Sequence, residues 1–126
     1  MGIKKPVYRI IIAGTRDFDD YDLLKEKVSS IIREKRKTHQ IVIVSGKARG
    51  ADRLGERFAN ENGFNIDEFP ADWDHYGKKA GYLRNKDMAE HSDALIAFWD
   101  GKSPGTKHMI DLAEQKNLPT RIIYYV

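Results

Sequence analysis

With 126 residues and no cysteine, the chain suits one domain and rules out a disulfide framework, a thiol nucleophile and a thiolate metal site. A hydrophobic fraction of 40% supplies one core, and no apolar run approaches the roughly 20 residues that span a bilayer. The formal net charge of +3 is compatible with a nucleotide or nucleic-acid partner and singles out neither.

The opening MGIKKPVYRIII has basic residues before a short apolar run but no small-residue cleavage site, so it reads as a first strand rather than a signal peptide. Ile3, Lys4, Lys5 and Pro6 follow Met1-Gly2 without the Ser or Thr of a myristoylation signal. A cytoplasmic protein is the expectation. Residues 7–13 are nearly all apolar and rich in Ile, which predicts a buried strand, and Gly14-Thr15-Arg16-Asp17 is the turn after it. Asp19, Asp20 and Asp22 crowd a helix start, where acids suit the dipole. Leu24, Val28, Ile31 and Ile32 follow at helical spacing, so this helix is expected to reach about Lys35. The basic run 33–37 falls at its end, as a solvated terminus or a nucleic-acid contact.

Residues 41–44, IVIV, predict a second buried strand. Ser45-Gly46 breaks it, and Gly50-Ala51-Asp52 opens a second helix whose inner face is Leu54, Phe58 and Ala59 and whose end is Asn62-Gly63. Residues 64–69 form a third strand, less apolar and so nearer an edge, ended by Pro70. Residues 71–81, ADWDHYGKKAG, read as a loop of aromatic and charged residues. Leu83, Met88 and Ala89 suggest a short third helix with Arg84 and Asn85 near its start. Residues 93–99 are the fourth strand, and 100–106 are a second Gly-rich turn in which Thr106 caps a fourth helix. That helix has Met109, Ile110 and Ala113 on its inner face and stops at Asn117-Leu118-Pro119, before a last strand over 122–126.

No linker, repeat or low-complexity tract interrupts this alternation, so residues 1–126 are expected to form one domain. Short apolar strands between amphipathic helices imply parallel pairing. The expected fold is α/β: a doubly wound, Rossmann-like three-layer sandwich with a five-stranded sheet in the order 3-2-1-4-5. Ligands of such sheets bind beyond the carboxyl ends of the strands. The turns at 14–18, 45–52, 71–77 and 100–106 all follow strands, so they are expected along one rim. Gly46 and Gly50 in one turn, and Gly101 and Gly105 in another, lead into helix N-termini whose unpaired N–H groups favour anions.

Around these turns Arg16, Lys47, Arg49, Arg84, Lys102 and Lys107 bring positive charge, and Thr15, Ser45 and Thr106 bring hydroxyls. Trp73 and Tyr76 suit stacking on a base or covering the edge of the core. Asp52 reads as a helix cap rather than a base, and Asp100 as an acceptor for a ribose hydroxyl or a brace for its own turn. His39, His75, His91 and His108 lack ligand spacing, so neither a metal nor a cofactor is expected. There is no GxGxxG after the first strand and no GxxxxGKS, which counts against a dehydrogenase and a standard P-loop ATPase.

The stretches GTRDF at 14–18, SGKARGADRLGERFA at 45–59, ADWDHYGKKAG at 71–81, RNKDMA at 84–89 and DALIAFWDGKSPGTKHMIDLA at 93–113 resemble the SLOG superfamily, and within it the YspA-like group. The resemblance covers most of the chain in order. It implies a Rossmann-like fold and binding or sensing of a nucleotide or nucleotide-derived ligand, with Gly14, Thr15, Arg16, Ser45, Gly46, Lys47, Arg49, Gly50, Asp52, Trp73, Arg84, Asn85, Asp100, Gly101, Gly105 and Thr106 around the site. The group's second turn more often reads SGGARGAD, and Lys47 replaces a glycine of it. SGKARGAD is also similar to the SGxARGID turn of the DprA/Smf proteins, which implies single-stranded DNA binding as the alternative. DGKSPGTKHM is similar to the PGGxGTxxE turn of the LOG phosphoribohydrolases and to the GTxxE segment of nucleoside deoxyribosyltransferases, whose final Glu is catalytic. Here that position is Met109, and a thioether can act neither as base nor as nucleophile. The resemblance thus points to a binder before an enzyme, with a weak N-glycosidic hydrolase using Asp100 as the remaining alternative. Related proteins often form dimers, so the resemblance also leaves a homodimer open.

Overall fold

The computed structural model describes residues 4–125; Met1 to Ile3, on which part of the N-terminal reading falls, and Val126 lie outside the described residues. Five strands build the sheet: β1 (Val7–Gly14), β2 (Gln40–Ser45), β3 (Asn65–Glu68), β4 (Ala94–Trp99) and β5 (Thr120–Tyr124). All pair in parallel in the order β3-β2-β1-β4-β5, as expected. The helices are α1 (Tyr21–Ile32), α2 (Lys35–Thr38), α3 (Ala51–Asn62), α4 (Trp73–Tyr76), α5 (Ala80–Glu90) and α6 (Pro104–Gln115). No helix among the described residues is long and apolar enough to cross a membrane.

Strand side chains alternate between two faces, and both faces are buried. Ile10, Ile12, Ile43, Ile96 and Phe98 pack against Leu24, Val28 and Ile32 of α1 and Phe58 and Ala59 of α3. Ile11, Ala13, Val44, Leu95 and Ala97 point the other way, onto Met88 and Ala89 of α5 and Met109, Ile110 and Ala113 of α6. That two-sided burial is why the central strands read as unbroken apolar runs. β3 lies at an edge, and its Asp67 accepts a 3.0 Å hydrogen bond from Arg9 Nε.

Five local expectations need correction. The first helix ends at Ile32 rather than near Lys35, and a separate single turn, α2, follows. Lys35 Nζ stands 4.5 Å from the centre of the Tyr8 ring, and the Arg36 guanidinium stands 5.0 Å from that of Phe64. These cation–π contacts hold the basic run at the N-terminal end of the sheet, away from the rim. Residues 71–81 are largely helical, because Asp72 caps α4 by accepting a 3.1 Å bond from His75 N–H, and a 3-10 turn then leads into α5. Leu83 is exposed; the inner face of α5 is Ala80, Asn85, Met88 and Ala89.

Thr106 does not cap α6. Ser103 stands at the N-cap with Pro104 just inside, where its missing N–H costs nothing. Asp100 Oδ1 accepts 2.8 Å bonds from Lys102 and Ser103 N–H, which closes the turn before Thr106 is reached. The last strand begins at Thr120 instead of Ile122, since Pro119 O already accepts a 2.9 Å bond from Leu95 N–H.

Gly50 joins the turns after β1 and β2. Its φ is 81°, and a Cβ there would sit 2.5 Å from Thr15 O and 2.6 Å from Arg16 O. Gly63, also left-handed at φ 71°, faces open space. Gly63→Ala is expected to cost about 1 kcal/mol and Gly50→Ala about 3 kcal/mol or more, because only Gly50 adds a backbone clash to the strain. Chemical denaturation of the two variants checks this, and equal losses would show that the contact is slack.

Candidate functional site

The turns after β1, β2 and β4 meet α5 around a cleft of about 520 Å³ at the C-terminal rim, where the sheet order reverses between β1 and β4. Gly14, Thr15, Arg16, Arg49, Asp52, Trp73, Arg84, Asn85, Asp100, Gly105 and Thr106 line it. Gly46 and Lys47 line a second cavity of about 460 Å³ beside it, together with Arg53. Ser45, Gly50 and Gly101 line neither. Ser45 is fully buried and donates a 2.6 Å bond to Glu56 Oε2. Lys102, Lys107 and Tyr76 also lie outside both spaces, and Lys107 Nζ donates to Asp111 at 2.6 Å.

Lys47 has turned away from the cleft. It occupies the left-handed region at φ 61°, and its Nζ is 3.1 Å from both Glu56 oxygens and 2.6 Å from Glu68 Oε2. The hydrogen bonds it donates to Glu68 and Glu56 raise its pKa, so the ammonium stays charged and its charge is matched locally. Gly46 does not open the main chain to an anion either: a Cβ there would fall 2.7 Å from Arg84 Nη1 and 2.8 Å from Asp52 Oδ2. Its missing side chain is filled by the arginine and the aspartate of the protein itself.

Arg84 is half-buried and donates from Nη1 to Gly46 O and from Nε to Asn85 Oδ1 at 3.0 Å. That bond fixes the orientation of the Asn85 amide. Asn85 Nδ2 is therefore the donor, to Gly105 O at 3.3 Å and to His108 Nδ1 at 3.2 Å. His108 Nδ1 must accept, which places the proton of a neutral imidazole on Nε2. Burial lowers the His108 pKa, in agreement.

Asp52 is not the cap it was expected to be. Gly50 stands at the N-cap, and Asp52 lies inside α3 with its carboxylate turned toward Arg84. Its Oδ2 accepts from Ala48 N–H at 3.3 Å. Burial pushes its pKa up to about 6, against the opposing pull of Arg84 and the Ala48 N–H. Asp100 is held the other way: the Ser103 and Lys102 N–H groups lower its pKa and keep it ionised. Its own N–H donates to Thr15 Oγ1 at 3.2 Å, which links the turns after β1 and β4. At the start of α6 the N–H groups of Gly105 and Thr106 have no carbonyl four residues back, and both residues line the cleft.

Sequence reasoning named Asp17 as a carboxylate of the rim, which the lining includes, but missed Lys78, Gly81, Tyr82, Met88 and Ser103 and did not place Met109 on the cleft wall. For three of them the signal was present. Lys78, Gly81, Asn85 and Met88 recur at helical spacing on one face, a pattern hidden when 71–81 is read as a loop. Among the described residues no group of three or more His, Asp or Glu is arranged to hold a metal ion.

A parallel α/β sheet in this order, with a charged cleft at its switch point, defines a Rossmann-like fold. More narrowly, the chain belongs to the YspA, cpYpsA-related SLOG family, which its residues 8–76 match. It is 35% identical over 117 residues to the Gene 61 protein of Mycobacterium phage D29, covering 88% of this chain and 92% of the phage protein. Among solved structures it is similar to DNA processing protein A (DprA) of Streptococcus pneumoniae, with a TM-score of 0.70 and 18% identity over 94% of this chain. The chain spans 50% of that protein's length. DNA processing protein A of Helicobacter pylori, described as binding single-stranded DNA, has a TM-score of 0.59 at 24% identity, covering 94% of this chain and 65% of its own. The protein TM1055 follows the same fold, with a TM-score of 0.62 at 15% identity, covering 92% of this chain and 72% of its own.

The Asp52 carboxyl makes stability depend on pH in a direction unusual for an acid. Its folded pKa of about 6 lies above the ordinary 3.8, so the folded chain holds this proton over a range where the unfolded chain has lost it. Stability from this group is therefore present at low pH and is lost as pH rises from about 4 through about 6, by on the order of 2–3 kcal/mol. Asp52→Asn is expected to flatten that part of the profile in urea denaturation. A variant profile parallel to the wild type would place the ionisation on another group.

Proposed function

We propose that residues 1–126 act as one cytoplasmic domain that binds a nucleotide or nucleotide-derived ligand in the rim cleft. One observation carries this reading: Arg16, Arg49 and Arg84 share a single concave space with Asp100 and the half-exposed rings of Trp73 and Tyr82. Cations suit a phosphate, an ionised carboxylate suits sugar hydroxyls, and flat rings suit a base. The volume of about 520 Å³ lies in the ordinary range for small-molecule sites. Asp100 Oδ1 is engaged by its own turn, so Oδ2 is the oxygen left for a ribose hydroxyl.

Met109, which stands at the catalytic position of the LOG-like motif, is buried in the cleft wall and offers no carboxylate. Asp100 is kept ionised by backbone donors and suits an acceptor, not a general acid. The Met109 position favours binding over N-glycosidic cleavage. Calorimetric titration with a panel of nucleoside monophosphates and nucleotide sugars tests the reading. At least one is expected to bind, and Arg16→Gln is expected to weaken it about tenfold through loss of a charge-assisted contact. No heat from any of the panel on folded protein would remove the proposal.

Single-stranded DNA is the second reading, favoured by the second cavity, where Arg16, Arg49, Arg53 and Arg84 stand with Trp73. It draws support from the fold shared with the Helicobacter pylori protein. Polarisation titrations of a labelled oligonucleotide at two salt concentrations separate the two. DNA binding is expected to weaken with log salt at a slope of about −0.7 per phosphate neutralised, over many phosphates. A slope near zero would rule out the DNA reading.

A further inference from the structure

The two rim cavities are not independent. Arg16, Ala48, Arg49, Trp73 and Arg84 line both, so the two spaces adjoin along the same side chains. Their chemistries differ. The larger cavity is mixed, with Asp17, Asp52 and Asp100 beside the apolar Ala13, Met88 and Met109. The smaller has no carboxylate in its lining and is walled by Arg16, Lys47, Arg49, Arg53 and Arg84. Lys47 is already matched by Glu56 and Glu68, whereas Arg53 forms no ion pair among the described residues.

Gly81, in the lining of the larger cavity, lies beside two of the shared residues. The place a Cβ would take there is 3.3 Å from Trp73 Cη2 and 3.8 Å from Arg84 Nη2, so the indole edge and the guanidinium meet over a residue without a side chain. Arg84 uses Nη1 on Gly46 O and Nε on Asn85, which leaves Nη2 without a hydrogen-bond partner among the described residues.

Resting on the nucleotide reading above, we infer that the ligand is a nucleoside carrying at least two phosphates, its nucleoside in the larger cavity and its outer phosphate in the smaller one. A single phosphate at the shared arginines would leave the carboxylate-free space beyond them without an anion. The second phosphate of a diphosphate would stand in the space that Arg53 lines.

The experiment is calorimetry with adenosine and guanosine mono- and diphosphates, on the wild type and on Arg53→Gln and Arg53→Glu. Arg53 is exposed, and circular dichroism verifies that both variants fold. For the wild type the diphosphate of the preferred base is expected to bind at least about tenfold more tightly than the monophosphate. That increment closes in Arg53→Gln and reverses in Arg53→Glu. Equal affinities for mono- and diphosphate, or an increment that survives both substitutions, overturns the inference while leaving the nucleotide reading intact. Absence of binding by all four overturns the inference, and silence from the whole panel removes the nucleotide reading as well. Tighter binding of a short oligothymidylate, with the same dependence on Arg53, gives the smaller cavity to a DNA backbone and also overturns the inference.

Discussion

The cleft depends on where one guanidinium is fastened. Arg84 belongs to α5, yet its Nη1 is bonded to Gly46 O just past the end of β2. Through Asn85 the same chain of bonds reaches Gly105 and His108 on α6. Three elements that follow different strands are thereby tied across the floor of one space. Burying an arginine is tolerable only if its donors and its charge are answered. Gly46 and Asn85 answer the donors, and Asp52 answers the charge. A site held this way before a ligand arrives spends less on ordering when it binds.

The glycines serve the same arrangement. Gly50 lets the turns after β1 and β2 touch, and Gly46 leaves room for the Arg84–Asp52 pair. Neither presents bare main chain to the cleft. The anion-holding capacity therefore resides in arginine side chains and in the start of α6. Arg16 and Arg49 are exposed on their turns, with Arg49 Nη2 3.7 Å from Asp17 Oδ1, while Arg84 is held in place.

Much of this was legible in the sequence. Unbroken runs such as IVIV announce strands covered on both faces, and their alternation with amphipathic helices leads to the sheet order and the rim. What stayed hidden depends on partners far along the chain. Lys47 reads as a phosphate ligand until Glu56 and Glu68 are placed beside it, and Glu68 lies on another strand. Asp52 reads as a cap until its neighbour Arg84 arrives from α5. Composition misled at 71–81, where aromatic and charged residues suggest a loop although Asp72 supplies a helix cap. The inward face of that segment, which includes Lys78 and Gly81, was lost with it.

Of the three carboxyls that line the cleft, Asp52 and Asp100 have surroundings that push their proton affinities apart. Such a division often marks an acid and a base of a reaction. Here it fits binding better. Asp100, held ionised by N–H donors, is a standing acceptor for hydroxyls. Asp52 is poised to take up a proton, since burial already favours its neutral form. An anion settling beside Arg84 brings a like charge toward Asp52 and favours that neutral form further. Protonation then relieves the repulsion and frees the guanidinium charge for the ligand. One carboxyl that stays charged for the sugar and one that yields to the phosphate can share a cleft with a nucleotide, and neither has to touch a breaking bond.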